Sequence, residues 1–383
     1  MFSYTFVLGK ATDLCRKELE IVLRSKNIFF KTVYFSGEIY HLETEKELDT
    51  FLIKELGGTI KIAKVFSPPL GSGQIAALIA NFLKTTPLKK ITFGLSLYGQ
   101  NKPLSLNFLA MAKEIKQELI KDSYSCRFVL AKEGNVLTSV QITKQKVQEI
   151  IISSQKEKVW LAATEFVQDF EDWNKRDYSR PEADPKSGML PPKVARMMVN
   201  IGNLNGKTLL DPFCGMGTIL QEGLSLGFKV IGSDYDKKAV LKAETNLEWF
   251  CKEYKVASGK YQILNGRAEK ISEKIEPKVV DVIVTEPYLG PDILPKTGLE
   301  NIIDGLSRLY LGCFSDWKKI LKAKDGLIVI ALPSFFMNGR EYLVSYAIDK
   351  IINLGYSIET GPLPYYRPQA VVRRNIYVFK IRN

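Results

Sequence analysis

The stretch that most constrains the fold is residues 209–220, LLDPFCGMGTIL, in which an apolar strand leads into a tight turn and then a helix. Gly215 and Gly217 let the backbone of the turn approach a ligand closely. The free N–H groups at the start of the helix favour an anionic group. Asp211 ends the strand, where its carboxylate is placed to meet a cationic group instead. The pattern predicts a nucleotide-type cofactor loop between a strand and a helix.

Residues 193–383 continue this alternation of short apolar strands with helical segments. Strands are expected at 208–210, 229–233, 261–264, 279–285 and 327–332. Such alternation predicts a parallel, doubly wound α/β sheet. Two closing strands, 356–359 and 375–381, are separated only by a Pro- and Arg-rich loop, which predicts that the last of seven strands is antiparallel.

The cofactor loop departs from the dinucleotide-binding pattern G-x-G-x-x-G. Its third glycine position holds Leu220, and an Asp-Pro-Phe sequence precedes the turn. The next strand ends in Asp234, 23 residues after Asp211, where a carboxylate can accept from both hydroxyls of a ribose. These features favour S-adenosyl-L-methionine over NAD as the cofactor.

Residues 281–291, DVIVTEPYLGP, end a later strand of the same half with an acid, a proline and an aromatic ring. Methylation of an exocyclic aromatic amine needs acceptors for its two N–H groups, because the nitrogen lone pair must leave ring conjugation. Glu286 and the backbone carbonyl of Pro287 are the candidate acceptors. Tyr288 is a candidate stacking partner for a base turned out of its helix, with ordinary core packing as the alternative. The loop holds no cysteine, so C5 methylation of a pyrimidine lacks its nucleophile there.

Composition narrows the remaining classes of protein. The net charge is +12, and residues 51–150 hold 14 Lys and Arg against 6 Asp and Glu, which suits a polyanion-binding surface or simply a lysine-rich soluble face. One histidine and five scattered cysteines argue against histidine-based catalysis, metal clusters and a disulfide framework. We also find no apolar run of about 18 residues and no secretory signal. We therefore expect a cytoplasmic protein without bound metal or membrane association, and favour a monomer.

A polar, proline-containing stretch from Asp169 to Pro192 separates this half from a differently patterned N-terminal half. The strands expected before it are 4–8, 59–66, 91–98, 126–130, 136–140 and 159–163. The helices expected there are near 13–25, 45–56, 74–84, 105–121 and 143–153. The pattern predicts one or two small α+β domains.

Several stretches resemble the THUMP-containing tRNA guanine-N2 methyltransferases, especially the archaeal and eukaryotic enzymes that act at guanine 10. They are residues 57–64, 166–170 with 176–181, and 184–198, which lead into the Asp211 loop. The resemblance implies a ferredoxin-like domain at 1–66, a THUMP RNA-binding domain at 67–168, a linker at 169–192 and a Rossmann-like class I methyltransferase domain at 193–383. It also implies that the N-terminal domains hold the acceptor end of tRNA and that Pro191 and Pro192 open a helix bordering the cofactor.

Two positions differ from the family pattern. The chain has Glu286-Pro287-Tyr288-Leu289 where the family usually carries Asp-Pro-Pro-Tyr, and Arg267 where related methyltransferases often place an acid for the adenine amine. Methylation of adenine N6 or cytosine N4 in RNA or DNA, and a catalytically silent RNA-binding homologue, therefore stay open. The candidate cofactor-binding residues are Pro191, Asp211, Phe213, Gly215, Gly217, Thr218, Asp234, Tyr235, Ala268 and Glu286; the candidate RNA-binding residues are Lys89, Lys90, Arg176 and Arg180.

Overall fold

The structure is a computed structural model that describes residues 1–70, 74–87, 89–99, 107–155, 158–183, 189–202, 207–257, 259–291, 293–295, 298–367 and 369–382. The chain divides into two compact units. Unit 1 comprises Met1–Leu19 and Lys26–Phe170, and unit 2 comprises Glu20–Ser25 and Glu171–Asn383.

The N-terminal sheet is mostly antiparallel. Its strands are β1 (Phe2–Leu8), β2 (Phe30–Ser36), β3 (Ile39–Thr44), β4 (Thr59–Leu70), β5 (Lys90–Tyr98), β6 (Ser125–Val129), β7 (Gln148–Gln155) and β8 (Lys158–Val167). The helices of this part are α1 (Thr12–Ser25), α2 (Phe51–Glu55), α3 (Ile75–Lys84), α4 (Phe108–Lys121) and α5 (Ser139–Gln145). Within the described ranges the strand order is β2-β3-β1-β4-β8-β7-β5-β6, and β5 is parallel to β6 and β7.

Three features of this sheet differ from the sequence-based expectations. The expected boundary between residues 66 and 67 lies inside β4, so the two expected N-terminal domains share a strand. The expected strand 136–140 and helix 143–153 are both wrong. Thr138 and Gln141 form a capping box that starts α5, and Lys146, in a left-handed conformation, ends it before β7. The hairpin of β2 and β3 was not expected.

The C-terminal sheet carries the alternation of strands and helices that the sequence predicts. Its strands are β9 (Thr208–Asp211), β10 (Lys229–Asp234), β11 (Tyr261–Asn265), β12 (Val282–Thr285), β13 (Leu327–Met337), β14 (Arg340–Leu343), β15 (Tyr356–Tyr365) and β16 (Val372–Ile381). The helices are α6 (Phe170–Tyr178), α7 (Pro192–Gly202), α8 (Thr218–Ser225), α9 (Lys237–Glu253), α10 (Leu299–Ile320) and α11 (Ser345–Asn353), with a 3₁₀ helix at Ala268–Glu273.

The strand order of this sheet is β11-β10-β9-β12-β13-β16-β15 in the part of the chain that the structure describes, with β14 paired to β13. Strands β9 to β13 are parallel, and β16 is antiparallel to β13 and β15. The seven-stranded core with an antiparallel β16 agrees with the expectation, and β14 makes an eighth strand. Residues 282–284 and 328–332 are fully buried, as parallel strands covered on both faces should be.

The stretch from Asp169 to Pro192 was expected to be a linker, but it begins with the ordered helix α6. Trp173 and Arg176 of this helix are buried in unit 2. Residues 184–188, which carry part of the family resemblance, lie outside the described residues. Helix α7 begins at Pro192, as the resemblance implied. None of the described helices is long and apolar enough to cross a membrane.

Candidate functional site

The carboxyl ends of β9, β10 and β12 meet at one edge of the C-terminal sheet, because these strands are parallel neighbours. Asp211 ends β9, Asp234 ends β10, and Glu286 follows directly after β12. Ligands bind at this edge in open α/β sheets. The three strands therefore bring together acids that the sequence separates by up to 75 residues.

The turn after β9 has the left-handed geometry that its glycines allow. Gly215 has φ +47° and Gly217 has φ +83°, and a Cβ on Gly215 would enter open space. The turn is closed by a hydrogen bond from the Gly217 N–H to the Cys214 carbonyl (2.7 Å). Helix α8 begins at Thr218, so its first N–H groups face this turn.

Asp234 holds the turn against β10. Its carboxylate accepts hydrogen bonds from the backbone N–H groups of Gly215 (3.0 Å) and Asp236 (3.0 Å). Each of the two carboxylate oxygens therefore accepts one backbone hydrogen bond. This arrangement fixes the Asp234 carboxylate beside the glycine turn, where the sequence placed a ribose-binding acid.

Asp211 is fully buried and lies in a negative environment. Its carboxylate accepts hydrogen bonds from the Thr285 hydroxyl (2.7 Å) and the Phe213 N–H (3.2 Å). The pKa of Asp211 is raised to about 7, mainly by burial and further by the charges of Asp234 and Glu286, and the two hydrogen bonds oppose part of this rise. Asp211 is thus poised to gain from a cation placed next to it.

Glu286 lies at the rim of the site rather than in the core. Its side chain is 16% exposed and forms an ion pair and hydrogen bond with Arg374 of β16. Burial raises the pKa of Glu286, and Arg374 opposes part of that rise. The Tyr288 ring is exposed, whereas its backbone carbonyl accepts a hydrogen bond from the Tyr310 hydroxyl (2.8 Å).

The charges of the site suit S-adenosylmethionine. This cofactor has a sulfonium and an ammonium group, and the site offers the acids of Asp211, Asp234 and Glu286. The open space at Gly215 leaves room for close backbone approach. Burial raises the pKa of the Cys214 thiol well above its usual range, so the cysteine in the turn is protonated and a poor nucleophile.

The other candidate cofactor residues occupy different surroundings. Tyr235 is largely exposed after β10, and Pro191 lies one residue before α7. Ala268 is buried, and its carbonyl already accepts a hydrogen bond from the Trp317 indole (3.0 Å). Arg267 is paired with Glu269 (2.7 Å).

The structure contradicts the expectation that Arg176 and Arg180 bind RNA, because both side chains are buried. Arg176 pairs with Glu222 (2.9 Å) and Asp172 (2.8 Å), so its charge is neutralised within unit 2. Arg180 donates to the Thr218 hydroxyl (2.8 Å). By contrast, Lys89 and Lys90 in unit 1 are both exposed.

Three side chains that sequence reasoning did not single out also shape the site. Thr285 was detectable, since it precedes Glu286 at the strand end. Arg374 could not be found by sequence reasoning, because its place beside Glu286 follows from the pairing of β16 with β13. Asn246 of α9 donates to the Met216 and Glu182 carbonyls (both 3.0 Å), which ties the turn to the segment after α6. The described residues contain no group of three or more His, Cys, Asp or Glu that could hold a metal ion.

Two family models match the chain. One, described as DNA methylase, matches residues 67–245. The other, described as RMKL-like, methyltransferase domain, matches residues 180–332, which include Asp211, Asp234 and Glu286.

Two relatives from archaea are similar in sequence. The chain is 30% identical over 210 residues to the tRNA (guanine(10)-N2)-dimethyltransferase of Pyrococcus abyssi, covering 55% of this chain and 53% of that protein. It is 35% identical over 141 residues to a protein of Methanothermococcus thermolithotrophicus named "Probable tRNA (guanine(10)-N2)-dimethyltransferase", covering 36% of this chain and 78% of that protein. The chain thus spans about half the length of the Pyrococcus relative.

The fold is shared over the whole chain with a solved structure. The crystal structure of TrmN from Thermus thermophilus matches with a TM-score of 0.58 at 14% identity, covering 100% of both chains. At this identity the likeness concerns the fold alone.

Proposed function

The chain belongs to the family of the tRNA (guanine(10)-N2)-dimethyltransferases, and from that membership we propose that it transfers a methyl group from S-adenosyl-L-methionine to the exocyclic N2 of a guanosine in tRNA. The proposed nucleotide is of the position-10 type. All five cysteines are free thiols, which supports our proposal of a reducing, cytoplasmic location.

The observation that carries the proposal is the group of three acids beside an open glycine turn. Asp211 is buried with a pKa near 7 because of its own burial and of the charges of Asp234 and Glu286. A cationic ligand relieves this repulsion. The ammonium group suits Asp211, and the ribose hydroxyls suit Asp234. The proposed function explains why a buried carboxylate is kept where the charges of Asp234 and Glu286 oppose its ionisation.

Glu286 is the proposed acceptor for the target amine. Bound S-adenosylmethionine would supply an electrophilic methyl group on its sulfonium. The base nitrogen would take this methyl group as the C–S bond breaks, S-adenosylhomocysteine would leave with that electron pair, and one amine proton would pass to the Glu286 carboxylate. Glu286 and the Pro287 carbonyl would accept the two N–H groups before transfer, which makes the lone pair available. Tyr288, which is 57% exposed, would stack on the flipped base.

Unit 1 is the proposed tRNA-binding part. Within it we propose a ferredoxin-like region at 1–66 and a THUMP domain at 67–168, which share strand β4. Lys89 and Lys90 are exposed next to each other at the start of β5, and the Lys89 ammonium lies over the Tyr124 ring, 4.1 Å from its centroid. Two adjacent exposed cations, one of them over an aromatic ring, suit a phosphate backbone.

The test is nucleoside analysis after methyl transfer. Purified protein is incubated with methyl-labelled S-adenosylmethionine and a tRNA transcript carrying guanosine at position 10, and with a matched transcript carrying adenosine there. We expect label in N2-methylated guanosine from the first transcript only. Glu286→Gln serves as the low-activity control.

A second candidate is methylation of adenine N6 or cytosine N4, favoured by the match to the model described as DNA methylase. Label in N6-methyladenosine or N4-methylcytidine would support it and contradict guanosine as the substrate. Tight cofactor and tRNA binding without label in any nucleic acid would instead indicate a silent RNA-binding homologue.

A further inference from the structure

Arg180 is a buried cation with few partners. Its side chain is 0% exposed, and Nη1 donates to the Thr218 hydroxyl oxygen at 2.8 Å. Its Nη2 lies 3.7 Å from an Asp177 carboxylate oxygen, which is beyond hydrogen-bond distance. Within the described residues, neither Nε nor Nη2 makes a hydrogen bond. Burying an incompletely paired guanidinium is unfavourable, because the ion loses its hydration without gaining full replacement partners.

Arg180 contacts the first residue of the helix that follows the glycine turn. Thr218 is the first residue of α8, and Gly217 caps that helix without a side chain, so the first N–H groups have no side-chain cap. Asn246 fixes the segment after Arg180 by accepting from the Glu182 N–H (2.9 Å) and donating to its carbonyl (3.0 Å). Two independent features, the free end of α8 and the buried guanidinium, therefore favour an anion at the same place.

We propose that Arg180 binds the carboxylate of the methionine part of S-adenosylmethionine, together with the N-terminus of α8. The Thr218 hydroxyl accepts from Arg180 and so keeps its own proton to donate. Asp211, which precedes the same turn, takes the ammonium group. The amino-acid part of the cofactor is then held between a buried cation and a buried anion. This inference rests on the proposed function, because it takes the cofactor from there.

The experiment compares two ligands that differ by one carboxylate. Calorimetry measures the Kd of S-adenosylmethionine and of its decarboxylated analogue for wild type, Arg180→Gln and Arg180→Lys in the full chain. Arg308→Gln is the matched control, since it removes an exposed arginine of the same unit. Charged hydrogen bonds of about 1.5–3 kcal/mol correspond to a loss of about 10- to 100-fold in affinity.

We expect Arg180→Gln to weaken S-adenosylmethionine binding by that factor while changing the Kd of the decarboxylated analogue less than about twofold. The affinity of Arg180→Lys for S-adenosylmethionine should lie between those of Arg180→Gln and wild type. Arg308→Gln should bind both ligands as tightly as wild type does. Equal loss for both ligands, or no loss for either, would overturn the inference, because Arg180 would then be a structural tether or uninvolved.

If the Arg180 variants fold poorly, the wild-type protein alone still tests whether the cofactor's carboxylate is recognised. It should bind S-adenosylmethionine at least about tenfold more tightly than the decarboxylated analogue. Equal affinities would refute carboxylate recognition and leave the proposed function standing. Absence of binding for both ligands would refute the proposed function itself.

Discussion

Replacing Asp211 with asparagine should make the protein more stable and a worse cofactor binder. The amide keeps an oxygen for the Thr285 hydroxyl and the Phe213 N–H, so the packing and the hydrogen bonds are conserved. What is lost is a buried negative charge next to those of Asp234 and Glu286. The stability and the affinity should therefore change in opposite directions.

The magnitude follows from the pKa of Asp211, which rises from 3.8 to about 7 on folding. Between these values the folded protein binds more protons than the unfolded chain, so the free energy of unfolding falls as the pH rises. The raised pKa should cost the folded state about 1.5 kcal/mol at pH 5, where only the unfolded chain is ionised, and about 4 kcal/mol at pH 8, where both states are. The gain from Asp211→Asn should thus be larger at pH 8 by about 2.5 kcal/mol.

Urea unfolding at pH 5 and pH 8 measures this difference. Three of the four tryptophans, Trp173, Trp249 and Trp317, lie in unit 2 with Asp211, so their fluorescence follows the relevant part of the chain. Calorimetry should show cofactor affinity about 10- to 100-fold weaker in the variant, because a charged hydrogen bond is lost.

Asp281→Asn is the matched control. Burial alone would raise the pKa of Asp281, but hydrogen bonds from Lys322 (2.6 Å) and from the backbone of Thr208 and Lys207 lower it overall. Its stabilisation is complete above the unfolded-state pKa, so this variant should lose the same stability at pH 5 and pH 8. An Asp211→Asn gain that is equal at both pH values would refute a buried, repelled carboxylate.

Three further variants test the catalytic loop. Glu286→Gln should lower kcat about a hundredfold, because an amide accepts the target N–H weakly, and calorimetry should show a much smaller loss of cofactor affinity; unchanged kcat would remove Glu286 from the reaction. Tyr288→Ala should raise the tRNA KM about tenfold and Tyr288→Phe hardly at all, since stacking contributes about 1–3 kcal/mol; equal effects of the two would argue against stacking. Arg374→Met should move the acidic limb of the kcat–pH profile to higher pH, because burial then raises the pKa of Glu286 unopposed; Arg373→Met, the neighbouring control, should leave that limb in place.

The sequence predicted the parts of the site that depend on local order along one strand and its turn. Asp211 and Asp234 end parallel strands, and glycines mark the left-handed turn, so their meeting follows from the α/β pattern. Partners from distant strands were not predictable. Arg374 reaches Glu286 only because β16 enters the sheet antiparallel, and its polar surroundings gave the sequence no periodic signal.

The two buried arginines show where the sequence-based interpretation went wrong, and why. Arg176 and Arg180 stand in a polar, proline-containing stretch, which is typical of an exposed linker, and both were expected to bind RNA. Only the structure shows that α6 packs into unit 2 and that Glu222 of α8 neutralises Arg176. A charged residue in a polar stretch does not reveal its partner, since the partner lies 46 residues away.

Electrostatics connects the fold with the proposed function. A stable protein without a ligand would gain by removing Asp211, since burial and the charges of Asp234 and Glu286 all oppose its ionisation. It would gain equally by removing the poorly paired guanidinium of Arg180. Both charges lie next to one glycine turn, and a zwitterionic amino acid with a sulfonium complements both at once. Ligand binding therefore best explains why both buried charges are kept although they disfavour folding. Asp211→Asn and Arg180→Gln should lower cofactor affinity more than they disturb folding.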